Sequence, residues 1–229
     1  MTISAGRDQF RLSPEVLVRA YAAGVFPMAK SRDDPTIYWI DPQERGVLPL
    51  DEFHIPRSLR KVIRQGRFDV RCDTACAEVI SACAQSDRGR EDTWINDEIE
   101  RAYTRLNGMG LVHSVEAWQD GELAGGLYGM ALGGAFFGES MFTRVTDASK
   151  VALTHLVAYL RLSGFVLLDT QFVTDHLIRF GAREIPARQY HRLLDAALQV
   201  KAEFHCDFSA EELSSELAAL FRQSSTQTS

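Results

Sequence analysis

From residue 112 to residue 142 the chain alternates long extended segments with two-residue turns, and no other run constrains the fold as strongly. Asp120-Gly121 separates residues 112–119 from 122–132, and an Asp-Gly pair is a strong hairpin signal because both residues tolerate the positive φ a tight turn needs. Gly133-Gly134 makes a second turn before residues 135–142. An antiparallel meander is therefore expected, and the rest of the chain must fold around it.

Flanking signals supply helices. Ser13-Pro14 offers a helix cap with proline at the first position, and Gly24 offers the stop. Phe26-Pro27, Asp41-Pro42, Pro49 and Pro56 then break the chain into turns and short extended pieces, including the apolar run 37–40, so residues 1–55 form a small loop-rich N-terminal lobe. Residues 56–229 form the main domain. In it a basic helix reaches about Gln65, a strand covers 68–72, a helix starts near Asp73, and another starts at Asn96 and stops at the 108–110 break. After the meander come a long apolar helix (147–162), a short buried strand (165–170) and two further helices, 174–180 and 188–200. The class is α+β: a mixed sheet with flanking helices. The order of elements resembles the N-acetyltransferase (GNAT) fold, and the polar tail after Phe221 is expected to fray.

A chain of 229 residues that is 45% hydrophobic can bury a core of its own. Its apolar stretches, such as 123–137, are interrupted by glycine and fall short of a membrane span, and residues 1–10 lack the apolar centre of a signal peptide. A cytoplasmic location with no membrane contact is the expectation. Cys72, Cys76 and Cys83 have spacings that match no common zinc pattern, so buried free thiols are expected, and no metal. The net charge of −6 argues against a protein that coats nucleic acid. A local stripe is another matter: Arg57, Arg60, Lys61 and Arg64 fall on one helix face, where they are either a solvated surface or a phosphate-binding strip.

Six glycines crowd the meander (125, 126, 129, 133, 134 and 138); glycine within strands marks a bulge or the close approach of another group, and the expectation here is the close approach of a substrate. Neither GxGxxG nor GxxxxGK[ST] occurs there, and residues 144–150 (RVTDASK) stand where a coenzyme A loop would be expected, so no cofactor is implied. Glu139 sits among Phe136, Phe137, Met141 and Phe142; a carboxylate in such company must be paired, protonated or facing a cleft. Asp169 and Gln171 project from one face at the end of a strand. Trp39 and Trp94 are placed to stack on a base or an apolar group, or to serve as core pillars. No nucleophile elbow or Ser/His/Asp ordering is present.

The runs VFPM (25–28), YWIDP (38–42), TWI (93–95), HSVEAW (113–118), GGLYG (125–129), FGESMF (137–142), ASKVAL (148–153), LDTQ (168–171) and GAREIP (181–186) together resemble the leucyl/phenylalanyl-tRNA–protein transferases. The resemblance spans about residues 13–195. It implies an aminoacyltransferase that moves Leu, Phe or sometimes Met from tRNA to the N-terminal Arg or Lys of acceptor proteins and so marks them for N-end rule degradation. A monomer is the expectation, because a single-domain enzyme acting on large substrates needs no partner subunit. The resemblance implies Asp169 and Gln171 as the catalytic pair. Glu139 then suits the basic end of the acceptor, while Phe136, Met141 and Leu127 would line the donor pocket. Trp39 and Trp94 would stack on the terminal adenosine, and Arg57, Arg60, Lys61 and Arg64 would meet the acceptor stem. A coenzyme A-dependent acyltransferase and a silent RNA- or N-end-binding module are the competing readings.

Overall fold

A computed structural model describes residues 12–85 and 93–226. In chain order its elements are α1 (Pro14–Ala22), β1 (Phe26–Met28), β2 (Tyr38–Ile40), β3 (Glu44–Val47), α2 (Arg57–Arg64), β4 (Asp69–Cys72), α3 (Cys76–Ala84), α4 (Asp97–Asn107), β5 (Val112–Gln119), β6 (Glu122–Leu132), β7 (Ala135–Thr143), α5 (Ala148–Leu162), β8 (Leu167–Gln171), α6 (Asp175–Ile178), β9 (Arg183–Pro186), α7 (Ala187–Leu198) and α8 (Ala210–Thr226).

The expected meander is β5–β6–β7, with Asp120 and Gly121 both at positive φ in the first turn. It forms one half of a seven-stranded mixed sheet in the order β4-β5-β6-β7-β8-β3-β9, in which β7 and β8 run parallel and the other neighbours antiparallel. β3 comes from the loop-rich first stretch yet is threaded between β8 and β9, while β1 and β2 form a separate hairpin.

Helices cover both faces of the sheet. One face packs on α5, whose residues from Ala148 to Leu160 are nearly all buried because α2 and α8 close over its far side. The other packs on α1, α3, α4 and α7 through Leu17, Tyr21, Val79, Ile99, Tyr103, Tyr190 and Leu194. Local chemistry sets the boundaries: Ser13 caps α1 by accepting the Val16 N–H, and Asn96 caps α4 by accepting those of Glu98 and Ile99.

Three expectations are corrected. Cys72 is not a free thiol: it is joined to Cys206 in a disulfide that ties β4 to the loop between α7 and α8, whereas Cys76 and Cys83 are free and buried. The tail does not fray at Phe221, since α8 continues to Thr226; residues 227–229 lie outside the described part. Residues 1–10, read for the absence of a leader, also lie outside it. Most of the meander glycines serve packing rather than an approaching substrate. A Cβ at Gly129 would run into the Phe136 ring, and one at Gly134 would stand 2.7 Å from the Val200 Cβ. Of the six, Gly138 is the one that borders the cavity described next.

Candidate active site

β7 and β8 pair over three positions, Ala135–Leu167, Phe136–Leu168 and Phe137–Asp169, and then part. A bulge sits on each strand just past the last pair. On β7, Gly138 faces Gly129 and Ser140 faces Tyr128, which leaves Glu139 as the extra residue. On β8, Asp169 faces Val47 and Gln171 faces Gly46, which leaves Thr170 as the extra one. Bulges bend a strand and re-aim its side chains. Here they open a cavity of about 660 Å³ between the strands, reaching both faces of the sheet.

On the α5 side the cavity wall is apolar: Leu127, Met141, Leu153, Leu156, Leu168 and Leu177. On the other side it carries Phe26, Met28, Trp94, Phe142 and Phe172. Glu139 and Gln171 face each other across the gap, with Gln171 Nε2 3.4 Å from Glu139 Oε1. Tyr21 donates its hydroxyl to Glu139 Oε1 at 2.6 Å and Tyr103 donates to Oε2 at 3.1 Å, and the two hydroxyls also contact each other. Burial pushes the Glu139 carboxyl up to about 8, against these two hydrogen bonds, which favour its ionised form.

Behind this surface lies a second carboxylate. Asp169 is fully buried and receives Arg45 Nε at 3.0 and 3.1 Å and an Arg45 terminal nitrogen at 2.7 Å. Tyr190 Oη donates to it at 2.6 Å and the Gln171 N–H at 2.8 Å. The Arg45 guanidinium lies between the rings of Phe26 and Tyr190, 4.6 and 4.4 Å from their centroids, and donates to the Gly24 carbonyl at 2.9 Å. Burial opposes the Arg45 charge, but the hydrogen bonds and charge of Asp169 outweigh it and raise the guanidinium's pKa. Gln171 is held at φ +56, a left-handed conformation that a non-glycine residue adopts only where its surroundings enforce it. The Asp169 bond to its N–H is one such constraint.

The structure brings together Glu139, Gln171, Leu127, Met141 and Trp94 on the cavity wall. Asp169 stands one layer behind it. Phe136 is not on the wall, a correction to the expected donor pocket: its ring is buried in the core against Phe165 and Phe204. Trp39 is not there either. It is 37% exposed on the β1–β2 hairpin, opposite Pro27. The basic helix α2 is separate from the cavity, and its four cations do not act alike. Arg57, Lys61 and Arg64 are exposed, but Arg60 donates to the carbonyls of Ile55 and Phe221 and braces α8. Sequence reasoning missed Arg45, Tyr21, Tyr103 and Tyr190. The two tyrosines facing Glu139 follow Leu17 and Ile99 by one helical turn on buried faces, a signal indistinguishable from core packing.

The family model for leucyl/phenylalanyl-tRNA protein transferase matches residues 47–195, and that for the N-terminal domain of the same family matches residues 10–43. Curated relatives agree. The leucyl/phenylalanyl-tRNA–protein transferase of Paramagnetospirillum magneticum is 60% identical over 193 residues, 84% of this chain and 92% of the relative. That of Rhodospirillum rubrum is 60% identical over 196 residues, 86% of this chain and 92% of the relative. The Nitrobacter winogradskyi protein of the same description is 59% identical over 193 residues, 84% of this chain and 86% of the relative.

Proposed function

This chain belongs to the leucyl/phenylalanyl-tRNA–protein transferase family, and from that premise we propose that the cavity between β7 and β8 is where it joins the amino acid of an aminoacyl-tRNA to an acceptor protein. The reaction transfers leucine or phenylalanine from tRNA to an N-terminal Arg or Lys, forming a peptide bond and marking the acceptor for N-end rule degradation. Methionine is a further donor, since its unbranched thioether suits a pocket that takes both other shapes. The observation that carries the reading is the placement of Glu139 and Gln171 across the gap where the two strands part.

The donor side chain occupies the apolar wall on the α5 side, and Trp94 stacks on the terminal adenosine from the other. The acceptor's α-amine attacks the ester carbonyl carbon. The new C–N bond forms, the ester C–O bond breaks, and the ribose hydroxyl leaves with a proton. An α-ammonium has an ordinary pKa of about 7.7–8.0. Glu139, at about 8, is matched to it, so a proton passes between them at little cost in either direction. Gln171 orients the amine. Asp169, sealed behind it and saturated with donors, acts by fixing the backbone of Gln171 rather than by touching substrate. Once ionised, Glu139 also pairs with the positive charge of the acceptor terminus.

The arrangement of a mixed sheet with a parallel pair that splays beside a central helix fits a GNAT-like domain. A first lobe and a main domain meeting near residue 55, a monomer, and work in the cytoplasm complete the proposal. The exposed Arg57, Lys61 and Arg64 are the strip offered to the acceptor stem. Incubating the protein with labelled Leu-tRNA and a peptide beginning with Arg tests the activity: label appears in the peptide, and its absence overturns the reading.

A further inference from the structure

The first turn of α5 opens onto the cavity. This helix runs for 15 residues, and Thr146, Asp147, Ser149 and Lys150 at its start border the cavity. Asp147 caps nothing with its side chain; its carboxylate takes Lys150 Nζ at 2.7 Å instead. The Ala148 N–H is taken by the Val145 carbonyl, and the Asp147 carbonyl takes the Val151 N–H. Between them, the N–H groups of Ser149 and Lys150 meet no acceptor among the described residues. Ser149 as a residue is only 6% exposed, and it borders the cavity without a hydrogen bond from its hydroxyl to any described residue. Gly125 lies directly against this turn: a Cβ there would stand 2.7 Å from the Ala148 Cβ and 3.1 Å from the Ser149 nitrogen.

Two free N–H groups at a helix start, the cavity-lining Ser149 hydroxyl and the Lys150 ammonium, which an incoming anion would share with Asp147, are a donor set for an anion. One further positive charge is close by, because Arg179 acts, with Lys150, on His176 of the same wall. The acceptor terminus brings cations and the donor side chain is apolar. The one anion next to an aminoacylated adenosine is the phosphate on its ribose 5′ oxygen.

We propose that the first turn of α5, through Ser149 and Lys150, binds the phosphodiester that joins the terminal adenosine of the donor tRNA to the preceding nucleotide. The site rests on the transfer reaction proposed above and adds to it a grip on the backbone of the tRNA end. The glycine-free run 144–150 then has a purpose: it presents a helix start to one phosphate rather than a glycine loop to a pyrophosphate.

Two donors that differ by one phosphate test this: 3′-O-phenylalanyl-adenosine and its 5′-monophosphate, each with an Arg-led peptide as acceptor. The 5′-phosphate is expected to lower KM about tenfold in the wild-type protein. In Ser149→Ala and Lys150→Gln that ratio should shrink to about two- or threefold, whatever the absolute rates. Inorganic phosphate added to the wild-type protein should raise KM for the phosphorylated donor only, which gives a readout that needs no variant. Equal KM values for the two donors, or a ratio that survives in both variants, would overturn the phosphate site while leaving the transfer reaction standing. Failure to consume either donor would overturn both.

Discussion

Arg45 reaches Asp169 across 124 residues of sequence, with contacts of 2.7, 3.0 and 3.1 Å between two side chains that are both closed off from solvent. The pair fixes the end of β8, and through it the residue that faces Glu139.

Removing Arg45 therefore strands a buried carboxylate. Arg45→Met should cost about 3–5 kcal/mol of stability, and Tyr190→Phe, which deletes a single hydrogen bond to the same carboxylate, about 1.5–3 kcal/mol. Urea unfolding measures both. A Met variant that unfolds at the wild-type midpoint would mean the ion pair contributes nothing.

The elevated Glu139 carboxyl makes stability depend on pH in a predictable sense. Its folded pKa of about 8 lies above the ordinary value of about 4.3, so the native protein holds a proton that the unfolded chain releases. That contribution is complete below the ordinary value and is lost as the pH rises through about 8. Glu139→Gln should therefore melt several degrees above the wild type at pH 9, and close to it at pH 4, while losing transfer activity. Melting curves at the two pH values decide the matter. A gap of equal size at both would show that Glu139 does not hold a raised pKa.

Gln171 can be separated from folding because of its backbone. Gln171→Gly suits φ +56 and should not unfold earlier than the wild type, yet turnover should fall roughly 100- to 1000-fold with loss of the side-chain amide. Steady-state rates beside a melting curve give the answer. Retained turnover would remove Gln171 from the site's chemistry.

The basic helix should split into two classes. Arg60→Ala should lower the melting temperature, since the side chain holds the carbonyls of Ile55 and Phe221, and should leave the salt dependence of tRNA binding nearly unchanged. Arg57→Ala and Lys61→Ala should each reduce the slope of log K against log salt by about one and spare stability, whereas Arg64→Ala also loses the stacking of its guanidinium on Phe221. A filter-binding salt series distinguishes them; identical slopes in all the variants would reduce the strip to a solvated face.

The Cys72–Cys206 disulfide closes a loop spanning 134 residues of sequence. In the chain-entropy account such a closure stabilises by about 5 kcal/mol. Dithiothreitol should lower the melting temperature of the wild-type protein and leave that of Cys206→Ser unmoved. Cys76 should stay unreactive in the native state, because burial pushes its thiol up to about 12. Alkylation followed by mass spectrometry counts the thiols.

The fold was legible where the signal is local. Asp120-Gly121 and Gly133-Gly134 announce the meander, and Ser13 and Asn96 announce α1 and α4. It was illegible where a partner is remote. Glu44–Val47 carries no strand signal of its own, because its partners are the remote residues 169–171 and 183–186. Cys72 reads as a lone thiol for the same reason. The site followed suit: Glu139 and Gln171 are odd enough in their own surroundings to notice. Arg45 is a single cation ahead of an apolar run, and nothing beside it in sequence tells that it will be buried on a carboxylate. Phe136 shares the α5 face with Met141, but it pairs with Leu168 before β7 and β8 part, so its ring packs on Phe165 and Phe204 instead of the gap.

The threading of β3 between β8 and β9 has a consequence for the order in which the molecule comes into being. Contacts between distant parts of a chain close late and slowly, since the intervening loop must first be brought together. Tyr21, Arg45, Glu139, Asp169 and Tyr190 lie on five separate elements or their borders, so the chemistry cannot be assembled from any one local unit. A chain emerging from the ribosome would thus be inert until β9 has joined the sheet, and the recovery of activity on refolding should trail the recovery of helical signal. Transfer competence is, in this molecule, a clock that starts with the last strand.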